Sequence, residues 1–224
     1  MVEMIAVERT VMMATKETKI EERAYLCDVQ TREDTEHGHM LEGVPIVIGK
    51  HTDLGPWDEV IDAGALDQTD LKDVRFLVNH DTDQIPLARS RNNNAHSTMQ
   101  LVVMDDGLHI RADLDVDGNP RAKELYSAVS RGDVSGMSFM FTVNKDAWDG
   151  LDTPHPTRHI TEIGRVFEVS AVTFPAYEQT SINARSMEIG QASLESAKEA
   201  LDNAKKLDAL RKEVLERSAE WKKN

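Results

Sequence analysis

The sequence predicts a mainly β domain of the α+β class followed by one long amphipathic helix, and three observations predict it. Between about Glu21 and Ser186, short alternating or wholly apolar runs recur between Gly, Asp and Asn turns. Within that span, one segment from Asn119 to Gly132 carries helix-start and helix-stop residues in the right order. Beyond Ser186, Leu194, Ala197, Leu201, Ala204, Leu207, Leu210, Val214 and Trp221 recur at steps of three or four among charges. The expected organisation is therefore a leader over 1–20, a domain over 21–186 and a helical segment over 187–224.

Residues 1–20 are charged and weakly periodic, which suits a mobile leader or an alternative translation start. Strands are expected at Ala24–Val29, Val44–Gly49, Val74–Val78, Met99–Met104, Leu108–Val116 and Ser138–Val143, then as a pair at Arg158–Ile163 and Val166–Phe174. Asp105-Asp-Gly107 separates two of these runs, and Leu108, Ile110, Ala112, Leu114 and Val116 alternate with polar residues, so a hairpin is expected there. In the helix, Asn119 suits the N-cap, Pro120 the first turn and Gly132 the C-terminal stop. Ala122, Leu125, Ala128 and Val129 share its apolar face. The helix delivers the chain into Ser135–Phe139.

At 224 residues and 40% hydrophobic, the chain suits one domain with a real core and a short appendage. Its 26 basic and 40 acidic residues leave a net charge of -14, and no Lys/Arg cluster is dense enough for phosphate binding, which argues against nucleic acid as a partner. Residues 187–224 hold eight acids and eight bases, so the excess lies in 1–186. No apolar run approaches a membrane span and the start does not read as a secretory signal, so a soluble, cytosolic protein is expected. Cys27 alone can form neither an internal disulfide nor a cysteine zinc cage, and it reads as a small packing residue. Glu36-His-Gly-His39 lacks a third ligand at a recognisable spacing; no metal and no cofactor are expected. Gly-x-Ser-x-Gly, P-loop and dinucleotide fingerprints are absent from the sequence.

Three residue types point to acyl-transfer chemistry. In Gly132-Asp-Val-Ser-Gly-Met-Ser-Phe139, strand alternation turns Met137, Phe139, Phe141 and Val143 one way and Gly136, Ser138, Met140 and Thr142 the other. Ser138 thus faces away from the aromatic side, beside a glycine that would let a substrate backbone approach. The same spacing also suits a surface serine on a half-buried strand. His80 follows the apolar strand Val74–Val78, rigid on one side and open on the other, with Asn79 or Asp81 able to orient its ring; Asn-His-Asp is equally ordinary turn composition. Glu168 sits inside the apolar run Val166–Phe174 and needs a cation or hydrogen-bond donors there, unless it faces solvent on an edge strand. Ser170 and Val172 share its face.

Together these segments resemble the prohead maturation proteases of tailed bacteriophages. The motifs are Leu41-Glu-Gly-Val-Pro-Ile-Val-Ile48, Trp57-Asp-Glu-Val-Ile-Asp-Ala-Gly-Ala-Leu66, Val74-Arg-Phe-Leu-Val-Asn-His-Asp81, Pro86-Leu-Ala-Arg-Ser90, Gly132–Phe139 and Glu168-Val-Ser-Ala-Val-Thr-Phe-Pro-Ala-Tyr177. The resemblance implies a fold distantly similar to herpesvirus assemblin, a closed β-barrel with surrounding helices. It implies a serine endopeptidase with Ser138 as nucleophile in preference to Ser135, and His80 as base. At the third place assemblin has a histidine and this chain has Glu168, so that role follows from position and chemistry, with Asp81 and His159 as alternatives. The amides of Ala176 and Tyr177 are the candidate oxyanion donors. Implied substrates are scaffold or the scaffolding domain of the major capsid protein, and the protease itself, inside the procapsid in the host cytoplasm. The terminal helix would bind scaffold, self-associate or be removed. The rival expectation is an inactive protease-like assembly protein acting through that helix.

Overall fold

The computed structural model describes residues 19–26, 29–34, 38–173 and 184–221. Most of the expected leader, together with Cys27, His37, Ala176 and Tyr177, lies outside the described residues. The chain forms β1 (Ile20–Leu26), β2 (Gln30–Asp34), β3 (Gly38–Val47), β4 (Thr52–Asp53), β5 (Asp58–Ile61), β6 (Asp73–Val78), β7 (Ala88–Arg91), β8 (Met99–Met104) and β9 (Gly107–Asp113). Helix α1 (Pro120–Ser130), β10 (Gly136–Asp149), β11 (Thr157–Val172) and helix α2 (Ala184–Trp221) follow.

These strands build two sheets. One runs β1-β10-β11-β5-β4, with β6 also pairing β11 and then β7; the other runs β2-β3-β9-β8. β11 is the organiser, because one half pairs in parallel with β5 through Thr157–Ile160 and the other half in parallel with β6 through Glu168–Ala171. The sheets bury a shared apolar layer that includes Leu41, Ile46, Phe76, Met99, Leu108, Phe139, Phe141, Ile163, Val166 and Val169. Met137, Phe139 and Phe141 all point into it, as alternation predicts.

The mainly β class with a long terminal helix therefore holds, and α1 and the β8–β9 hairpin form where expected. Asn119 caps α1 by accepting the Arg121 N–H at 3.0 Å, Pro120 opens it, and Gly132 follows its end at φ 77°. The expected closed barrel is not found. Among the described residues one sheet ends at β1, β4 and β7 and the other at β2 and β8, and between β7 and the residue before β8 Thr98 N–H donates to Arg89 O at 3.0 Å and Arg89 N–H donates to Thr98 Oγ1 at 2.9 Å. The two expected strands on either side of Gly164 are one strand, β11.

Helix α2 changes character along its length. Its first turns dock on the body: Ser186 Oγ accepts the Glu22 N–H at 2.9 Å, and a side chain at Gly190 would collide with the Trp57 ring at 2.3 Å. Ser193 Oγ accepts from Trp148 Nε1 at 3.0 Å and donates to Asp146 at 2.8 Å, while Leu194 is buried. Past Leu194 the helix stands largely in solvent, with Leu207, Leu210, Val214 and Leu215 exposed.

Candidate active site

Strand β6 ends at Val78, and the next two residues, Asn79 and His80, both take left-handed φ, at 51° and 57°. For non-glycine residues this conformation is uncommon, and for histidine it costs on the order of 1–3 kcal/mol. Local hydrogen bonds compensate. Asn79 N–H donates to Ala171 O at 2.9 Å, its side chain accepts the Thr173 N–H at 2.9 Å, and His80 N–H donates to Ser170 Oγ at 3.1 Å. The parallel β6–β11 ladder and this sharp turn together fold the imidazole back over β11.

There His80 Nδ1 lies 2.5 Å from Glu168 Oε1. The Ser170 hydroxyl donates to the other Glu168 oxygen at 2.6 Å, so one side chain accepts from the His80 backbone and steers the carboxylate that holds its ring. Glu168 is 3% exposed, which makes these donors its substitute for water. On the far edge of the ring, Nε2 lies 3.1 Å from Glu22 Oε1 on β1, within ion-pair reach but not aligned for a hydrogen bond, and that nitrogen is buried with no hydrogen-bond partner among the described residues. Burial by itself would lower the His80 pKa. The Glu168 hydrogen bond and the charges of Glu168 and Glu22 outweigh it and raise the pKa above the ordinary histidine value. Burial and the neighbouring Glu168 charge push the Glu22 carboxyl up, against the pull of His80 and Arg23.

Ser138 lies on the same sheet face. In the ladders, Glu22, Met140 and Glu168 form one cross-strand row, and Ala24, Ser138 and Ser170 form the next. The Ser138 side chain is fully buried, and its hydroxyl donates to Arg23 O at 2.7 Å rather than to His80. The structure thus joins His80 to Glu168 and sets Ser138 beside Ser170, one row from Glu168, without a direct Ser138–His80 bond. Ser135 is exposed, just before β10. Asp81 is exposed and accepts the Asp83 N–H at 3.2 Å, while His159 pairs with Asp62 at 2.9 Å at the β5 end of β11.

Two residues of this cluster were not singled out as functional from the sequence. Ser170 was visible as a polar residue on the Glu168 face. The signal for Glu22 was weaker: three charges in a row, Glu21-Glu-Arg23, opening a strand that otherwise reads as apolar, which demands buried partners on at least one face. Three potential metal ligands gather elsewhere, at Asp53, Asp58 and His155, on the exposed β4–β5 end of the large sheet. A shallow depression of about 520 Å³ lined by Glu42, Val102, His109 and Arg111 lies on the small sheet, away from His80.

A serine, a histidine and a carboxylate on one sheet face are the parts of a nucleophile, a base and its orienter. The family model for caudovirus prohead serine proteases matches residues 27–193, which takes in all three. The chain belongs to that family. The prohead protease of Enterobacteria phage HK97 is similar too, 32% identical over 111 residues. That match spans 50% of this chain and 44% of the HK97 protein, less than half of the relative's own length. No solved structure matches. Among the described residues, no helix of this prohead-protease family member is long and apolar enough to cross a membrane.

Proposed function

We propose that the chain is a serine endopeptidase of phage procapsid maturation, with Ser138 as nucleophile, His80 as general base and Glu168 as the residue that orients and charges the base. The observation that carries the reading is the His80–Glu168 pair at 2.5 Å, its Nε2 without a hydrogen bond among the described residues, on the face that also holds Ser138. In the acyl-transfer step the Ser138 hydroxyl proton passes to His80 Nε2 as Oγ attacks the scissile carbonyl. Glu168 accepts the Nδ1–H, fixing the tautomer and stabilising the imidazolium. The proton then passes from Nε2 to the leaving amine, and water releases the acyl group by the same route. For this the Ser138 hydroxyl must turn from Arg23 O toward the ring.

The family and the HK97 relative support scaffold or the scaffolding domain of the major capsid protein as substrates, and the protease itself as another, within the procapsid in the host cell. An assemblin-like barrel is the fold that goes with this reading. Co-expression with the capsid protein and scaffold of the same phage tests it. The parent chain should shorten a partner, Ser138→Ala should not, and Ser135→Ala should retain most activity. Partners of unchanged size with the parent chain would sink the protease reading, and equal loss at Ser135 would move the nucleophile.

One observation favours a second reading, an inactive assembly module. Ser138 is fully buried and already hydrogen-bonded to β1, while the outer part of α2 presents an unburied apolar stripe. In that case neither serine substitution changes any partner's size.

A further inference from the structure

The strand that covers Ser138 carries opposite cargo on its two faces. On the inward face, Arg23 donates to Glu59 at 2.5 and 2.8 Å and to Glu21 at 2.7 Å, and Arg158 donates to Glu21 at 2.8 Å and to Glu59 at 3.1 Å. All four side chains are 1–2% exposed. This network, together with the seven-residue β1–β10 ladder, fixes the height and register of β1. Glu22, between the two anchored residues, therefore has a defined place on the outward face, and its backbone N–H is tied down by Ser186. A carboxylate held 3.1 Å from the nitrogen that must take the Ser138 proton is a consequence of the fold rather than a stray surface contact.

We propose that Glu22 is a fourth member of this site, a positioning residue that claims the Nε2 edge of His80 in the resting molecule and must yield it before that nitrogen can receive the Ser138 proton. The inference rests on the serine-protease reading for its catalytic meaning, but the geometry stands without it. With both nitrogens protonated, the imidazolium bridges two carboxylates and has no lone pair for Ser138. When the Nε2 proton is lost to water, a bare lone pair faces a carboxylate oxygen, and the two repel. Glu22 is 17% exposed, so it has a route toward solvent that Glu168, at 3%, lacks. Loss of the proton and departure of Glu22 are thus coupled, and the site opens in one step. The charged groups around the pair are Glu168 on β11, Arg23 on β1, and Arg75, which is opposite Glu168 on β6 and lies 3.3 Å from Asp73.

The sign follows directly. Glu22 favours the charged imidazole, so removing its charge lowers the pH at which His80 becomes a base. In a Ser138→Ala background, which cannot process itself, the His80 titration midpoint read by NMR should fall in Glu22→Gln. Glu22→Asp keeps the charge but withdraws it by a methylene, and should give an intermediate midpoint. In chains that retain Ser138, the acid limb of labelling by a fluorophosphonate should move to lower pH in the same order. A midpoint unchanged in both variants overturns the assignment, as does a shifted midpoint with an unmoved acid limb. If the midpoint moves and no chain labels or cleaves at any pH, the protease reading fails and the Glu22–His80 coupling survives. If cleavage and labelling persist with no shift, the failure belongs to Glu22.

Discussion

On the inward face of β1, the buried carboxylates of Glu21 and Glu59 meet the guanidiniums of Arg23 and Arg158, and Arg158 also holds the part-exposed carboxylate of Asp146. On the outward face, two carboxylates, Glu22 and Glu168, share one imidazole whose far nitrogen has no hydrogen bond among the described residues. The inward cluster is a closed account of donors and acceptors: burial would raise the Glu21 pKa, yet Arg158 and Arg23 hold it below the ordinary carboxylate value. The outward cluster has an excess of negative charge and a nitrogen left over. A saturated network resists change and serves register, whereas an unsaturated one has a proton position to fill, and that is what a base needs.

The contrast breaks first, and hardest, at Glu168. In Glu168→Gln the pairing with His80 loses its charge and the amide can hold the wrong tautomer, so the rate of acylation should fall about 10²- to 10⁴-fold while the thermal midpoint moves little. The loss should be smaller than that of Ser138→Ala. The His80 titration midpoint should also fall, since the Glu168 hydrogen bond is the largest influence raising it. His80 becomes a base only as pH rises through its raised pKa, so the acid limb of the parent chain should lie above the ordinary histidine value of about 6.5. Full activity in Glu168→Gln would remove the outward cluster from the mechanism and return the third role to Asp81 or His159.

The inward face should answer in the opposite currency. Arg158→Ala leaves Glu21 and Glu59 buried with one guanidinium between them and frees Asp146 from its 2.7 Å bond. Breaking a buried pair in this way costs about 3–5 kcal/mol, read as a lower denaturation midpoint in urea. Activity should be lost only to the extent that the chain unfolds or β1 loosens. Acid should act on the same network: because the Glu21 pKa is depressed in the folded state, its contribution is present above about pH 4.5 and fades as pH falls through the folded value. A variant that stays fully stable but loses acylation would show that the network belongs to the chemistry after all.

How much of this was legible depends on how local the cause is. The α1 cap, the β8–β9 hairpin and the inward turn of Phe139 against the outward turn of Ser138 follow from neighbours in the sequence, and they were read correctly. The Glu168–His80 contact joins residues 88 apart, and chemistry pointed to it only because a carboxylate in an apolar strand must find a donor. Gly164 falls in the gap between the two strands expected at Arg158–Ile163 and Val166–Phe174. In the fold it continues β11, and glycine is needed because a Cβ there would lie 2.4 Å from Asn144 Oδ1. The short strands β4, β5 and β7 carry too few residues for periodicity to register. Glu22 was hidden because its meaning depends on β1 pairing with β10 across more than a hundred residues.

Helix α2 gives the mildest version of the same contrast, between a part that is paired and a part that is not. Truncation after Ser186 was the natural cut from the sequence, but it removes Gly190 against Trp57, the Ser193 bridge between Trp148 and Asp146, and buried Leu194. Asp146 is also the acceptor for Arg158, so this cut reaches the inward network. Burying one leucine is worth about 1.5–3 kcal/mol and each hydrogen bond about 1 kcal/mol, so the cut should destabilise the body by roughly 3–5 kcal/mol. Truncation after Ser196 leaves the Gln191–Glu195 hydrogen bond in place, removes residues that are mostly in solvent, and should leave the stability within about 0.5 kcal/mol of the parent. The longer chain that remains then isolates what the exposed stripe does. If it labels normally yet fails to enter procapsids, residues beyond Ser196 address the chain; if it enters them normally, the stripe has no part in delivery and the docked turns of α2 serve the body alone.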